Sequence, residues 1–306
     1  MKITRLVALM AGICFGLSIA VSFFGSGFTP ALAASKSKPI ELKFAHHNPP
    51  KGRTTVKFLD AWMRMAEKAT NGKVKIISYP AQSLAKSREM VAAIEGGVAD
   101  MGWTINGVFA GRFPLTEVMY LPFLALPSAA KNGRIINELY DKFPALQKEY
   151  ASMKLLGMYE GAEKGVIDGA FLNWAMLPTF KLYEVFRYWT NADILPAIMN
   201  VSMNLDKWNS LPPDVQQGIM SVSGAKGAEF AGRAGWGPEV KAECYAIMKK
   251  KGKMMEEVKL DPGEIEKWRK VVGRPVWNEW AKQMEKKGLP GQSILDEALR
   301  LREKYR

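Results

Sequence analysis

Two adjacent histidines and an asparagine, His46, His47 and Asn48, end an alternating segment (Ile40, Leu42 and Phe44 apolar) just before Pro49-Pro50. Imidazoles and an amide at a strand end could ligate a metal, move a proton or hydrogen-bond a ligand. Neighbours on a strand point to opposite sides, so His46 and His47 cannot grip one ion without distortion, and the chain holds no third histidine. No metal site is expected. The residue types fit hydrogen bonding to a small ligand, with His47 and Asn48 as its contacts.

A second group follows "EGGVADMGW" (Glu95–Trp103): Trp103, Thr104 and Asn106 offer an aromatic wall with two polar groups. A near copy, "EKGVIDGAF" (Glu163–Phe171), is followed by Trp174, so Phe171 and Trp174 mirror the first group. Asp100 and Asp168, at equal places in the two copies, are read as turn-stabilising acids. Covalent chemistry has little footing. No Gly-x-Ser-x-Gly, phosphate-cradling glycine loop or CxxC pair is present, and Cys244 has no histidine near it in sequence. No cofactor is expected.

The ends and the composition narrow the classes further. Lys2 and Arg5 precede an uncharged apolar run from Leu6 to Phe24, then Ala31-Leu32-Ala33, the pattern of a secretory signal peptide cleaved after Ala33. Cys14 lacks the neighbours of a lipidation site. Of 306 residues about 273 would remain, with Cys244 as the one cysteine, so no internal disulfide can form in an oxidising compartment. The formal charge of +13 falls to +11 without Lys2 and Arg5, and its lysines and arginines alternate with acids in helix-like stretches such as "MKKKGKMMEEVK". That pattern is a solvated helix face rather than a nucleic-acid footprint.

The elements that would position these groups alternate. Strands are expected at 40–45, at "KVKIISYP" and at "VADMGW", with helices over Thr54–Thr70 and Ser87–Glu95 between them. Asn71-Gly72 and Gly96-Gly97 end the two helices. Strand–helix–strand–helix–strand predicts a parallel sheet whose ligands gather at the carboxyl ends of its strands. A helix near Ala130–Tyr140 and the strand "MKLLGMY" come next, and only Glu160, Gly161 and Ala162 separate that strand from the second copy. "WAMLPTFKLYEVFRYW" is expected to be helical, "AIMNVSMN" a strand, and the C-terminal third largely helical, with starts marked by Pro213, "DPGE" at 261–264, Pro275 and Ser293.

In order, "LKFAHHNPP", "GVADMGW", "GRFPLTEVMYLPFL", "MKLLGMYEG", "GVIDGAF", "FKLYEV", "DKWNSLPPDVQ" and "KKGLPGQSILDEA" resemble the DctP-type solute-binding proteins of tripartite ATP-independent periplasmic (TRAP) transporters. The resemblance implies a type II-like periplasmic-binding-protein architecture: two α/β lobes, a hinge and long C-terminal helices, with an organic acid enclosed between the lobes. It also places Gln82 in a loop facing the cleft. The two copies of the motif become equivalent helix–strand turns of two lobes. Between "GMYEG" and "GVIDG" the family carries about fifty residues, including a nearly universal arginine that pairs with the ligand carboxylate in a bidentate manner. This chain has no counterpart, and Asn173 and Ala175 stand where the family branch has Pro and Glu around the tryptophan. Arg112, in "AGRFP", is read as a structural loop arginine.

The domain expectation is a signal peptide over 1–33, lobe I over 34–157 plus 198–237, and a truncated lobe II over 158–197 plus 238–306. The expected function is periplasmic capture of a small carboxylate between the lobes and its delivery to TRAP permease membrane subunits, with no covalent step. The alternatives are a degenerate, non-binding remnant of such a protein and, with no motif in its favour, a periplasmic hydrolase.

Overall fold

Alternation along β1 (Ile40–Ala45) buries Leu42 and Phe44 on one side of a sheet and leaves Glu41 exposed, as a strand covered on its apolar face requires. The protein is described by a computed structural model covering residues 38–160 and 173–306. The expected leader, the second copy of the repeated motif, Asp168 and Phe171 lie outside the described residues. β1 pairs in parallel with β2 (Val74–Tyr79) and with β3 (Met101–Ile105). Between the first two strands a wide π turn, Thr54–Leu59, runs into helix α1 (Asp60–Ala69). That helix ends where Asn71 and Gly72 take positive φ, as the Asn-Gly pair predicts. Helix α2 (Met90–Glu95), entered through a short 3₁₀ turn, ends at Gly96-Gly97 ahead of β3.

The remaining strands depart from the parallel pattern. Helix α3 (Ala129–Lys142) and the short α4 (Pro144–Lys148) precede β4 (Met153–Glu160). A two-residue β5 (Tyr188–Trp189) comes next in the described chain, followed by β6 (Ile198–Asn204). β6 inserts between β3 and β4, antiparallel to both, giving the order β2-β1-β3-β6-β4. The chain therefore crosses back into the first sheet late in the sequence. A strand so placed is buried on both faces, and every residue of β6 is buried.

The sheet carries one core on each face. One holds Leu42, Phe44, Trp103, Tyr159 and Val201 against Phe58, Trp62 and Ala231. The other holds Ala45, Ile94 and Met158 together with Trp277, Trp280 and Leu301. After α6 (Leu205–Asn209), the amphipathic run from Pro213 divides into α7 (Pro213–Ser221) and α8 (Gly224–Trp236), because Gly224 takes φ +58 and turns the chain. Gly232 of α8 meets the first turn of α3 so closely that a Cβ there would overlap the backbone of Ala129 and Ala130.

Beyond α8 come α9 (Glu239–Lys251), the two-residue β7 (Glu256–Glu257) paired with β5, and helices α10 (Pro262–Val272), α11 (Arg274–Lys286) and α12 (Gly291–Tyr305). The Asp261 side chain caps α10 through the Gly263 amide at 2.6 Å, as "DPGE" predicts. α12 starts two residues before Ser293, at Gly291. The helix expected across 174–189 is replaced by one turn of α5 (Met176–Thr179), a 3₁₀ turn at Leu182–Glu184 and the strand β5. Pro178 and the left-handed Lys181 (φ 54) break the run, and its apolar side chains meet a small cluster with Met248 and Met255. Helices α11 and α12, expected in lobe II, bury Trp277, Trp280 and Leu301 in the same core as Met90 of α2 and Met158 of β4. Among the described residues no helix is long and apolar enough to cross a membrane.

Candidate functional site

The carboxyl end of β1 delivers His47 and Asn48 to a small cavity whose far wall is the segment before and within α5. Asn173, Ala175, Met176, Thr179 and Phe180 form that wall; Gly52, Thr54, Met199 and Trp236 complete the lining. The cavity measures about 40 Å³, roughly the space of one ordered water. Gly52 faces that wall closely: an added Cβ would lie 3.2 Å from Thr179 Cγ2 and 3.1 Å from the Pro49 carbonyl oxygen, so a side chain there would force its neighbours to shift by a few tenths of an ångström. The Asn48 side-chain amide nitrogen is buried without a hydrogen-bond partner, the state of a donor that awaits an acceptor.

The neighbouring histidine has a different environment. His46 points into the sheet core, where Nε2 lies 3.1 Å from Ser78 Oγ and the ring sits 6.1 Å from that of Phe44. Burial, reinforced by the charge of His47, pushes its pKa down to about 4, so at neutral pH it is an uncharged core imidazole. The two histidines thus diverge as strand geometry requires, and His47 is the one that lines the cavity.

The other expected contacts divide by position. Trp103 is fully buried, edge-on to Phe58 at 5.3 Å and stacked behind Trp236. Thr104 and Asn106 are buried within the sheet and its strand end: Thr104 pairs with Asn200 of β6, and Asn106 bonds Tyr150 and Asn200 at 2.5 and 2.8 Å. Asn106 thereby joins a buried polar chain that runs through Tyr150 and Thr116 to Glu149. Gln82 is exposed at positive φ, with its side-chain oxygen accepting from the Ser87 amide at 2.9 Å. Trp174 stands beside two lining residues, its ring 4.7 Å from Trp189 and its carbonyl accepting from the Cys244 thiol. Arg112 pairs with Glu95 at 2.5 Å and donates to Ser152, a structural use of the guanidinium.

Trp236, Met176 and Met199 were not expected at the site. Trp236 ends a helix that is distant in sequence from every motif, so its lining role follows only from tertiary packing. Arg53 stands between two lining residues, but its guanidinium is turned away and fully engaged. It donates to the Ala234 and Gly235 carbonyls at 3.2 and 3.3 Å and pairs with Glu239 and Glu243. It therefore caps the end of α8 and ties the β1–α1 connection to α9. Among the described residues no group of three His, Cys, Asp or Glu side chains could hold a metal. Burial raises the Cys244 thiol to about 11, which keeps it protonated and unreactive.

Comparison with known proteins places this geometry. The bacterial extracellular solute-binding proteins of family 7, DctP, match residues 44–158 and 139–283. The C4-dicarboxylate-binding periplasmic protein DctP of Rhodobacter capsulatus is 25% identical over 323 residues, covering 88% of this chain and 91% of that protein. As 88% of 306 residues is about 269, about fifty of those aligned positions face no residue here. The two matched stretches overlap at 139–158, just ahead of the second copy of the repeated motif.

Solved structures share the fold. A TRAP solute-binding protein of Rhodoferax ferrireducens, crystallised with copurified benzoate, superposes with a TM-score of 0.78 at 22% identity over 87% of this chain and 98% of that one. Another from Bordetella bronchiseptica, with bound (R)- and (S)-mandelate, gives 0.76 at 22% identity over 88% of this chain and 100% of that one. The matched residues span most of the sequence, and the chain belongs to the DctP family, family 7 of the bacterial extracellular solute-binding proteins.

Proposed function

We propose that this chain is exported through a leader cleaved after Ala33, captures a small organic acid between the walls that meet at His47 and Asn48 and that part to admit it, and presents it to a TRAP-type membrane permease. The observation that carries the reading is that Asn48, just past the end of a sheet strand, holds a buried, unpartnered donor and shares a cavity lining with the distant segment 173–180. A ligand that touches both walls favours their closed arrangement by the contacts it gains there, which is the mechanism of a binding protein. The two-lobe division belongs to the same reading, with 173–197 as part of the second lobe. The relatives named above, described as binding C4-dicarboxylates, benzoate or mandelate, support an organic acid as the ligand class.

A second reading, a non-binding remnant, is favoured by one feature. Val185, Tyr188 and Val271, in and beside the reduced second region, are 70, 63 and 69% exposed, as expected where covering elements are absent. A thermal-shift screen of the chain against organic acids, sugars and amines separates the two. Binding raises the melting temperature with an acid and in proportion to its concentration. An unmoved melt across every acid leaves the remnant.

A further inference from the structure

A second cavity lies past the end of β3, where α11 packs over the 3₁₀ turn Thr116–Tyr120. Its space is about 300 Å³, at the lower end of the ~300–1,000 Å³ usual for small-molecule sites. Glu117 and Tyr120 stand three residues apart on the 3₁₀ turn, and Val276 and Trp280 four apart on α11, so each pair shares a face. Gly107, Leu121 and Pro122 complete the lining, and the exposure of Gly107 and Val276 opens the cavity to solvent. It shares no lining residue with the cavity at His47, so it stands apart from the organic-acid reading.

The walls are fixed by bonds of their own. The Tyr120 hydroxyl accepts from the Gly107 amide at 3.0 Å and donates to the Ile198 carbonyl at 2.9 Å. Trp280 Nε1 donates to the Pro114 carbonyl at 3.2 Å, and Trp277 Nε1 to the Pro122 carbonyl at 2.8 Å. What is left to meet a ligand is apolar surface, an indole and one carboxylate. Glu117 is the one charged residue of the lining, and none of the ion pairs among the described residues includes it. Burial pushes its pKa up, and the charge of Lys287 and the Gly111 amide offset only part of that rise. A half-buried carboxylate short of a counter-charge, beside an indole and aliphatic side chains, complements an ammonium group on an apolar body. We propose that this cavity binds a small organic amine in its protonated form, held by Glu117 and packed against Trp280 and Val276. The formal charge of +13 repels amines from the surface at large, so saturable binding of one would mark a local site.

Titration of the chain with benzylamine near neutral pH, followed by calorimetry and through the indole N–H resonances, tests the proposal. The Trp280 resonance, assigned through Trp280→Phe, should move saturably while that of Trp236 stays. Benzyl alcohol, which lacks the charge, should bind at least tenfold more weakly, and Glu117→Gln should weaken benzylamine binding as much. A Trp280 resonance unmoved at millimolar benzylamine, movement of Trp236 in its place, or equal affinity in Glu117→Gln overturns the proposal. If Glu117→Gln does not keep the wild-type melting profile, Lys287→Gln decides, because that residue is exposed and its charge opposes a bound ammonium. Tighter benzylamine binding by Lys287→Gln supports the site, and unchanged or weaker binding overturns it.

Discussion

The indole of Trp103 lies behind that of Trp236, with ring centroids 6.3 Å apart and planes 14° from parallel. Trp236 lines the cavity and Trp103 is fully buried against Phe58 and Tyr159, so the two rings have separable roles. Trp103→Ala removes a large core side chain and should cost about 3–5 kcal/mol in denaturant unfolding. Trp236→Ala should cost less stability yet abolish the ligand-induced rise in melting temperature. Equal effects of both on stability, with the thermal shift retained in the second, would contradict this division.

Arg53 joins the chain after β1 to the end of α8 and the start of α9. Arg53→Gln keeps much of the stem and removes the charge, stranding two carbonyls and loosening two partly exposed carboxylates. A loss of about 2 kcal/mol is expected in urea unfolding, from charge-assisted hydrogen bonds. A Glu243→Gln variant should lose less, since the carbonyl contacts persist.

The buried His46 predicts an acid limb in the stability profile. Its pKa stands at about 4 in the folded chain against 6.5 in the unfolded one, so only the unfolded chain binds a proton between those values. Its contribution is complete above pH 6.5, falls as pH drops toward about 4, and is then exhausted, a change of about 3 kcal/mol. Glu149 has the opposite sign. Its carboxyl, raised to about 6 chiefly by burial, favours the folded state below 4.5 and loses that contribution as pH rises through 6. Comparing wild type with His46→Asn cancels the Glu149 effect, and the difference between them should shrink by about 3 kcal/mol from pH 7 to pH 4. A pH-independent difference would show that His46 titrates normally.

The contact of α3 with α8 depends on Gly232 having no side chain. Because the obstructing atoms are backbone, they cannot rotate aside, and Gly232→Ala should destabilise by about 1–3 kcal/mol despite the better helix propensity of alanine. Gly235→Ala, in the same helix and with only an ordinary 3.9 Å contact to Phe58 Cβ, controls for the change in helix propensity.

Local chemistry made much of the fold legible. The Asn71-Gly72 stop, the Asp261 cap and the alternation of β1 are each fixed by residues close in sequence. The segment 174–189 misled because its apolar spacing suits a helix, while Pro178 and the available partners on α9 favour short turns and a strand. Half of the cavity was equally hidden. His47 and Asn48 announce themselves at a strand end, whereas Trp236 and Met199 reach it only because β6 and α8 return to the first sheet. Trp103 shows the converse: the aromatic ring at a strand end serves as the support behind the wall rather than as the wall.

The central claim is that an organic acid binds between the walls that meet at His47, Asn48 and Trp236. Indole N–H resonances in a ¹⁵N-correlation spectrum test it most directly, with the Trp236 signal assigned through Trp236→Phe. On titration with benzoate the Trp236 resonance should move saturably, while those of Trp277 and Trp280, which donate to the Pro122 and Pro114 carbonyls in the opposite core, stay in place. A Trp236 resonance that stays fixed at millimolar benzoate and with every other acid in the panel would contradict the account.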